Sequence, residues 1–141
     1  MRVLVLVKAS PESETGQFPP EFKDLVSDMQ KYNEELVKAG VMLAGEGLYP
    51  SGKGKRVRFE GKKRSVIDGP FAETKELVAG FWIWQVRSID EATEWLKRAP
   101  FQGGDVEIRP IQESEDFAKE LGDSAIAERD AQLKERIAAQ R

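Results

Sequence analysis

The sequence predicts an α+β fold: two β-α-β halves sharing one antiparallel sheet, a hairpin inserted between them, and a helical tail behind. Three observations carry this. Val3–Val7 and the stretch from Phe81 to Val86 are nearly unbroken apolar runs, the signature of strands covered on both faces. Each is followed by a segment with apolar residues at spacings of three and four, then by a further short strand. Between the halves, residues 56–67 alternate polar and apolar around a Gly61 turn.

Each element has its local reason. The β-branched run Val3–Val7 starts the chain as a strand. Ala9–Pro20 carries Ser, Glu, Thr, Gly and three prolines and reads as a loop. Pro20 suits a first helical turn, where its missing N–H costs nothing. Phe22, Leu25, Val26, Met29, Asn33, Leu36 and Val37 then line one helix face, and Gly40 fits the left-handed position just past its end. Val41–Ala44 begins a second strand. Gly45-Glu46-Gly47 interrupts it, as glycines do at a bulge or a close backbone approach. Residues 56–60 and 64–67 form the hairpin, with Val57 and Phe59 expected on its buried side. Asp68-Gly69-Pro70-Phe71 is a turn, and 72–77 suits one helical turn. Ser88 and Glu91 match a capping box that opens a helix with Ala92, Trp95, Leu96 and Ala99 inward, ending before Pro100. Val106–Ile111 alternates as a last strand.

The order β-α-β-(β-β)-β-α-β is a ferredoxin-like split β-α-β with an inserted hairpin. Its helices cover one sheet face. The other face is also apolar, and a chain this short has no third layer for it, so a two-fold homodimer is expected. Residues 1–112 form the predicted domain, balanced at 17 acids and 17 bases. Residues 113–141, eight acids against five bases, form a separate helical tail, split at Gly122 and with Ser124 as a cap for its second piece.

Composition excludes much chemistry. The 141 residues carry 22 Lys plus Arg against 25 Asp plus Glu, net −3, and contain no Cys and no His. Disulfides, thiolate nucleophiles, Fe–S clusters, imidazole bases, Ser-His-Asp triads and two-His zinc sites are all ruled out. No metal and no cofactor is expected. The five-residue apolar start is shorter than a secretory or spanning segment requires, so a cytoplasmic protein with no membrane partner is expected.

Several segments together resemble the YCII-related family, in its branch named for a DGPF tetrapeptide. They are Lys31–Leu36 running into Ala39-Gly40, Leu43–Leu48 with Pro50-Ser51, Asp68–Glu76, Gly80–Ile83, and Glu107–Pro110, in the family's order over residues 1 to about 113. The resemblance implies a dimeric α+β barrel of ferredoxin-like subunits. Some members carry a His–Asp pair in a pocket, and the Asp of such a pair carries over to Asp68. Members of this branch often have His at the position of Tyr49. Their genes commonly neighbour those of extracytoplasmic-function sigma factors, which implies a regulatory protein partner.

The candidate chemistry rests on carboxylates and phenols. Asp68 either braces its turn through backbone N–H groups or turns a carboxylate into a pocket. Glu46, between two glycines in an apolar strand, either faces outward or is a pocket acid or base that the glycines let a ligand approach. Glu73 is a cap or surface carboxylate, or faces the same pocket as Asp68. Tyr32 sits at the edge of the helix's apolar face, and Tyr49 offers a phenolic hydrogen bond; both are candidate ligand contacts. Trp82, Trp84 and Trp95 read as core or dimer-interface anchors. Lys53, Lys55, Arg56, Arg58, Lys62, Lys63 and Arg64 set seven bases against Glu60 in twelve residues. The net negative chain, and the lack of interleaved aromatics beyond Phe59, make this a solvated hairpin face rather than a nucleic-acid surface. The sequence therefore points to a dimeric protein binding a small molecule of unknown identity, or weakly catalytic through Asp68 and Glu46. The alternative is a non-enzymatic accessory protein in sigma-factor regulation.

Overall fold

The computed structural model describes residues 1–140 and divides them into two units, Met1–Pro110 and the stretch from Ile111 onward. In the first unit, β1 (Arg2–Lys8), β2 (Met42–Gly47), β5 (Val78–Gln85) and β6 (Val106–Pro110) form a four-stranded sheet in the order β2-β5-β1-β6. Every pairing is antiparallel. α2 (Phe22–Lys38) joins β1 to β2, and α3 (Ile89–Lys97) joins β5 to β6. This is the ferredoxin-like topology that the order of elements predicts.

Alternation along the strands sorts the two faces. Val3 and Val5 of β1 are fully buried and stand opposite Trp84 and Trp82 of β5. They pack with Tyr32 and Leu36 of α2, Ala92 of α3, Val41 and Val86, so the core lies between sheet and helices. Trp82 is its hub, with its ring 5.6 Å from Trp84, 5.9 Å from Tyr32 and 6.1 Å from Phe101. Of the three tryptophans expected as core or dimer-interface anchors, Trp82 and Trp84 thus serve the core of this chain, and Trp95 packs against it. Leu4, Leu6, Phe81 and Ile83 alternate onto the other face and are half-buried.

Local signals account for the helix ends. α2 closes with Gly40 at φ +72, the Gly40 N–H bonded to Val37 O and the Val41 N–H to Leu36 O. That is the paired bonding of a Schellman end, and the two residues it brings together, Val41 and Leu36, are both core. At α3 the Ser88 hydroxyl accepts from the Glu91 N–H as expected. The Glu91 carboxylate, however, accepts from Arg87 N–H rather than closing the box on Ser88. Strand β2 carries its register shift between Met42 and Ala44, just ahead of the glycines.

Three further expectations are corrected. The segment read as a loop contains α1 (Pro11–Thr15), begun by a reciprocal Ser10–Ser13 capping box with Pro11 in the first turn. The hairpin, β3 (Lys55–Glu60) and β4 (Lys63–Asp68), forms its own two-stranded sheet. Val57 and Phe59 therefore have no core to enter and remain 50% and 67% exposed. In the second unit, α4 (Ser114–Leu121) and α5 (Ser124–Ala139) are separated by Gly122 at φ +68. Asp123, not Ser124, caps α5, accepting from the Ala125 N–H at 3.0 Å.

Candidate functional site

A cleft of about 970 Å³ opens on the helix side of the sheet, between the edge of β2 and the chain from Ala9 to Met29. Its floor exists because side chains are missing. In the last row of the sheet Val7 stands opposite Gly80, and Gly80 opposite Gly47. Two of these three positions have no side chain, so the sheet surface is recessed there. A Cβ on Gly47 would meet nothing within 4 Å, and one on Gly80 would press on the Glu46 carbonyl oxygen at 3.0 Å. One row further in, the Trp82 indole lies over Gly45, where a Cβ would come within 2.7 Å of the ring. Glycine is required there for the indole and the Met42 methyl to approach the strand this closely.

The walls are apolar. Phe22, Leu25 and Met29 of α2 line one side, with Phe18 stacked on Phe22 at 4.1 Å between ring centroids. Phe101 and Val106 line the other. Polar side chains, among them Lys8, Glu12, Glu21, Asn33 and Asp105, also line the cleft. Trp82 Nε1 donates to Asn33 Oδ1 at 2.9 Å, which leaves the Asn33 amide N–H groups free of any other hydrogen bond among the described residues. Lys8, at the cleft's edge, pairs with Glu107 at 3.3 Å. Glu107 also accepts from Arg109, and these two cations hold its carboxyl below the usual range, Arg109 contributing most.

The five expected site residues do not converge on this cleft. Glu46 borders it, exposed, opposite Phe81 on β5 and so on the strand face away from Trp82. Asp68 ends β4 and is paired with Lys55 at 2.5 Å, with 75% of its side chain exposed. It is outside the cleft lining because the hairpin that carries it forms a sheet of its own. Tyr49 is 77% exposed beneath the Lys53 ammonium, 4.0 Å from its ring centre. Glu73 precedes a short 3₁₀ turn at 74–76 and does not line the cleft. Tyr32 is buried, its hydroxyl donating to the Trp95 carbonyl oxygen. Burial pushes its phenol well above the usual tyrosine value, Arg98 opposing weakly.

The Asp68–Phe71 tetrapeptide is held by backbone contacts. Gly69 packs so closely on Ser51 that a Cβ would sit 1.8 Å from the Ser51 carbonyl oxygen. The Gly69 N–H donates to Gly54 O at 3.0 Å and the Phe71 N–H to Ser51 Oγ at 3.0 Å. The Arg56 guanidinium lies 3.8 Å over the Phe71 ring. Two residues here carried no signal in the sequence: Glu14 of α1, whose carboxylate accepts from both the Ser51 N–H and its hydroxyl, and Asn33, which read only as part of an apolar face. An apolar recess with a few fixed donors can hold a small molecule by burial and orient it by hydrogen bonds. Among the described residues, no group of three or more carboxylates comes together to hold a metal ion, and no helix is long and apolar enough to cross a membrane.

Comparison with known proteins places the chain. Residues 1–115 match the YCII-related domain. An uncharacterized protein of Rhizobium meliloti (strain 1021) is 33% identical over 104 residues, 71% of this chain and 84% of that protein. Among solved structures, the chain is similar to 5-chloro-2-hydroxyhydroquinone dehydrochlorinase of Burkholderia phenoliruptrix AC1100, determined with 2,5-dihydroxybenzoquinone. The TM-score is 0.46 at 17% identity, covering 82% of this chain and 97% of the other, a likeness too distant to bear on activity.

Proposed function

This chain belongs to the YCII-related family, and we propose that it binds a small, largely apolar molecule in the cleft between β2, β5 and α2. The observation that carries this reading is the row Val7–Gly80–Gly47, where missing side chains leave a recess beneath aromatic walls. A core built only for stability would fill such a recess, because voids forfeit contact energy. The Asn33 amide is the donor best placed to orient a ligand acceptor. Glu46, which alternates onto the other sheet face, borders the cleft without its carboxylate facing the recess. Asp68, engaged with Lys55, keeps its turn in shape.

A second copy is the cover we assign to the open sheet face. Ala44, Leu4, Leu6, Phe81 and Ile83 form its centre, and the alternation of apolar residues on that face supports the reading. Two such sheets face to face would make a barrel of two subunits.

The cleft is tested by filling it. Gly47 has no positive φ and open space where a side chain would go, so Gly47→Leu should fold normally. With anilinonaphthalene sulfonate as a fluorescent probe of apolar recesses, the wild-type chain is expected to bind one dye per chain. Gly47→Leu should bind at least tenfold more weakly at an unchanged melting temperature. Equal binding by the two proteins would refute the assignment.

A further inference from the structure

One wall of the cleft has its side-chain hydrogen bonds to the rest of the fold through a single residue. The stretch from Ser10 to Phe18 contributes Ser10, Glu12, Ser13 and Phe18 to the lining, yet α1 within it buries no residue. Its hydrogen bonds are nearly all internal: Ser10 with Ser13, Thr15 with Glu12, Gln17 with Thr15, Glu14 N–H with Ser10 O. At its base the Ala9 N–H reaches Leu77 O at 2.8 Å. Beyond that, among the described residues, the Glu14 carboxylate makes the only hydrogen bonds from this wall to the rest of the fold, with the Phe18 ring stacked on Phe22 at its far end. One oxygen accepts the Ser51 N–H at 3.1 Å and the other the Ser51 hydroxyl.

Ser51 is itself committed in the opposite direction. Its hydroxyl has one proton and two lone pairs. The proton goes to Glu14, and one lone pair accepts the Phe71 N–H. Its carbonyl oxygen lies so close to Gly69 that only glycine fits there. The tetrapeptide thus fixes Ser51, and Ser51 fixes Glu14. A carboxylate accepting two bonds is among the stronger hydrogen-bonded arrangements available on a protein surface.

We propose that Glu14 and Ser51 form a latch that holds the α1 wall of the cleft in place, with the Asp68–Phe71 loop as its anchor, so that this loop acts on the cleft without entering it. Glu14 is then a positioning residue. Opening the latch swings the Ser10–Phe18 wall away and lets a bound molecule leave. The gating part rests on the reading of the cleft as a binding site; the latch itself does not.

The experiment separates the two. Hydrogen exchange on the ligand-free protein reads the wall directly. In Glu14→Gln, which leaves Ser51 and the Asp68–Phe71 loop unaltered, the amides of residues 12–18 should exchange tenfold faster or more, a factor in keeping with charge-assisted bonds. Ser51→Ala should give the same acceleration, and the double variant no more than either single one. The strand β5 should exchange as in the wild type in all three. Stopped-flow release of anilinonaphthalene sulfonate should accelerate in parallel. Wild-type exchange at residues 12–18 in Glu14→Gln would overturn the latch. Accelerated exchange with unchanged dye release would overturn its gating role. Dye binding that ignores Gly47→Leu would refute the binding reading, while the exchange result would still decide the latch.

Discussion

Gly69 is the position where one methyl group does the most damage. Its Cβ would lie 1.8 Å from a backbone oxygen, and backbone cannot swing aside as a side chain can. Gly69→Ala is expected to cost at least about 1–3 kcal/mol by overpacking, read as a lower denaturant midpoint. Asp68→Asn should cost no more than about 1 kcal/mol, because its pair with Lys55 is exposed. Tyr32 supplies a pH dependence. Its folded pKa is raised, so the neutral phenol is the form the fold prefers. That contribution is fully present below the ordinary tyrosine value of about 10 and is lost as pH rises past it. Wild-type stability should therefore fall above pH of about 10. Tyr32→Phe should flatten this fall while losing about 0.5–1.5 kcal/mol at neutral pH for the bond to Trp95. Tyr49→Phe, at an exposed phenol, is the control that should change neither. Single residues with local causes were legible from the sequence: Gly40 as a helix end, Ser88 as a cap, Gly45 as a close approach. Glu14 was not, because its partner Ser51 lies 37 positions away and neither residue type announces the pairing.

Elements were legible where their pattern and their surroundings agree. β1, α2, β5, α3 and β6 each have an apolar face and something in the same chain to bury it against. The hairpin has the first without the second. Alternation shows that Val57 and Phe59 share a face but says nothing about what covers it, and both remain half exposed or more on a hairpin outside the main sheet. α1 escaped notice for a different reason. Its capping box uses Ser rather than Glu or Gln at the third position, and five residues are too few to show a helical period. The hairpin's placement is open to a direct measurement. Phe59→Ser is expected to change the unfolding free energy of the chain by less than about 0.5 kcal/mol, as surface substitutions do. A loss of about 3–5 kcal/mol, the cost of emptying a core phenylalanine site, would mean that this ring is buried in solution. The Arg64 guanidinium over the Phe59 ring, 4.6 Å from its centre, gives the side chain its only ring contact among the described residues and is too exposed to alter that expectation.

For the molecule as a whole, the question is what the two units each need. The core of the first draws on residues from Val3 to Ile108. In the second, α5 buries no residue, and Leu133 and Ile137 are 52% and 54% exposed. An isolated helix of this length is marginal in water unless a face is packed. The open sheet face, with Leu6 and Phe81 adjacent at its centre, is where a second copy would act. Phe81→Asp should give a folded monomer in sedimentation where the wild type gives a dimer; a monomeric wild type at micromolar concentration would remove the barrel reading. Deletion after residue 122 then asks whether the tail belongs to that assembly. If α5 is a peripheral element, the shortened chain keeps its dimer and its stability moves by no more than about 1–2 kcal/mol. If instead α5 lies along a partner, its thin stripe of Ile126, Leu133 and Ile137 gains cover only in the dimer. Truncation would then weaken association while leaving the monomer's unfolding unchanged. Those two outcomes separate in one titration, because lost association flattens the dependence of the denaturation midpoint on protein concentration, whereas loss of a peripheral helix leaves that dependence as it was. The exposure of both leucine and isoleucine along α5 favours the first outcome: hydrogen exchange at Leu133 and Ile137 should run well ahead of that in β5, and protection equal to β5 would make the tail an integral part of the assembled protein.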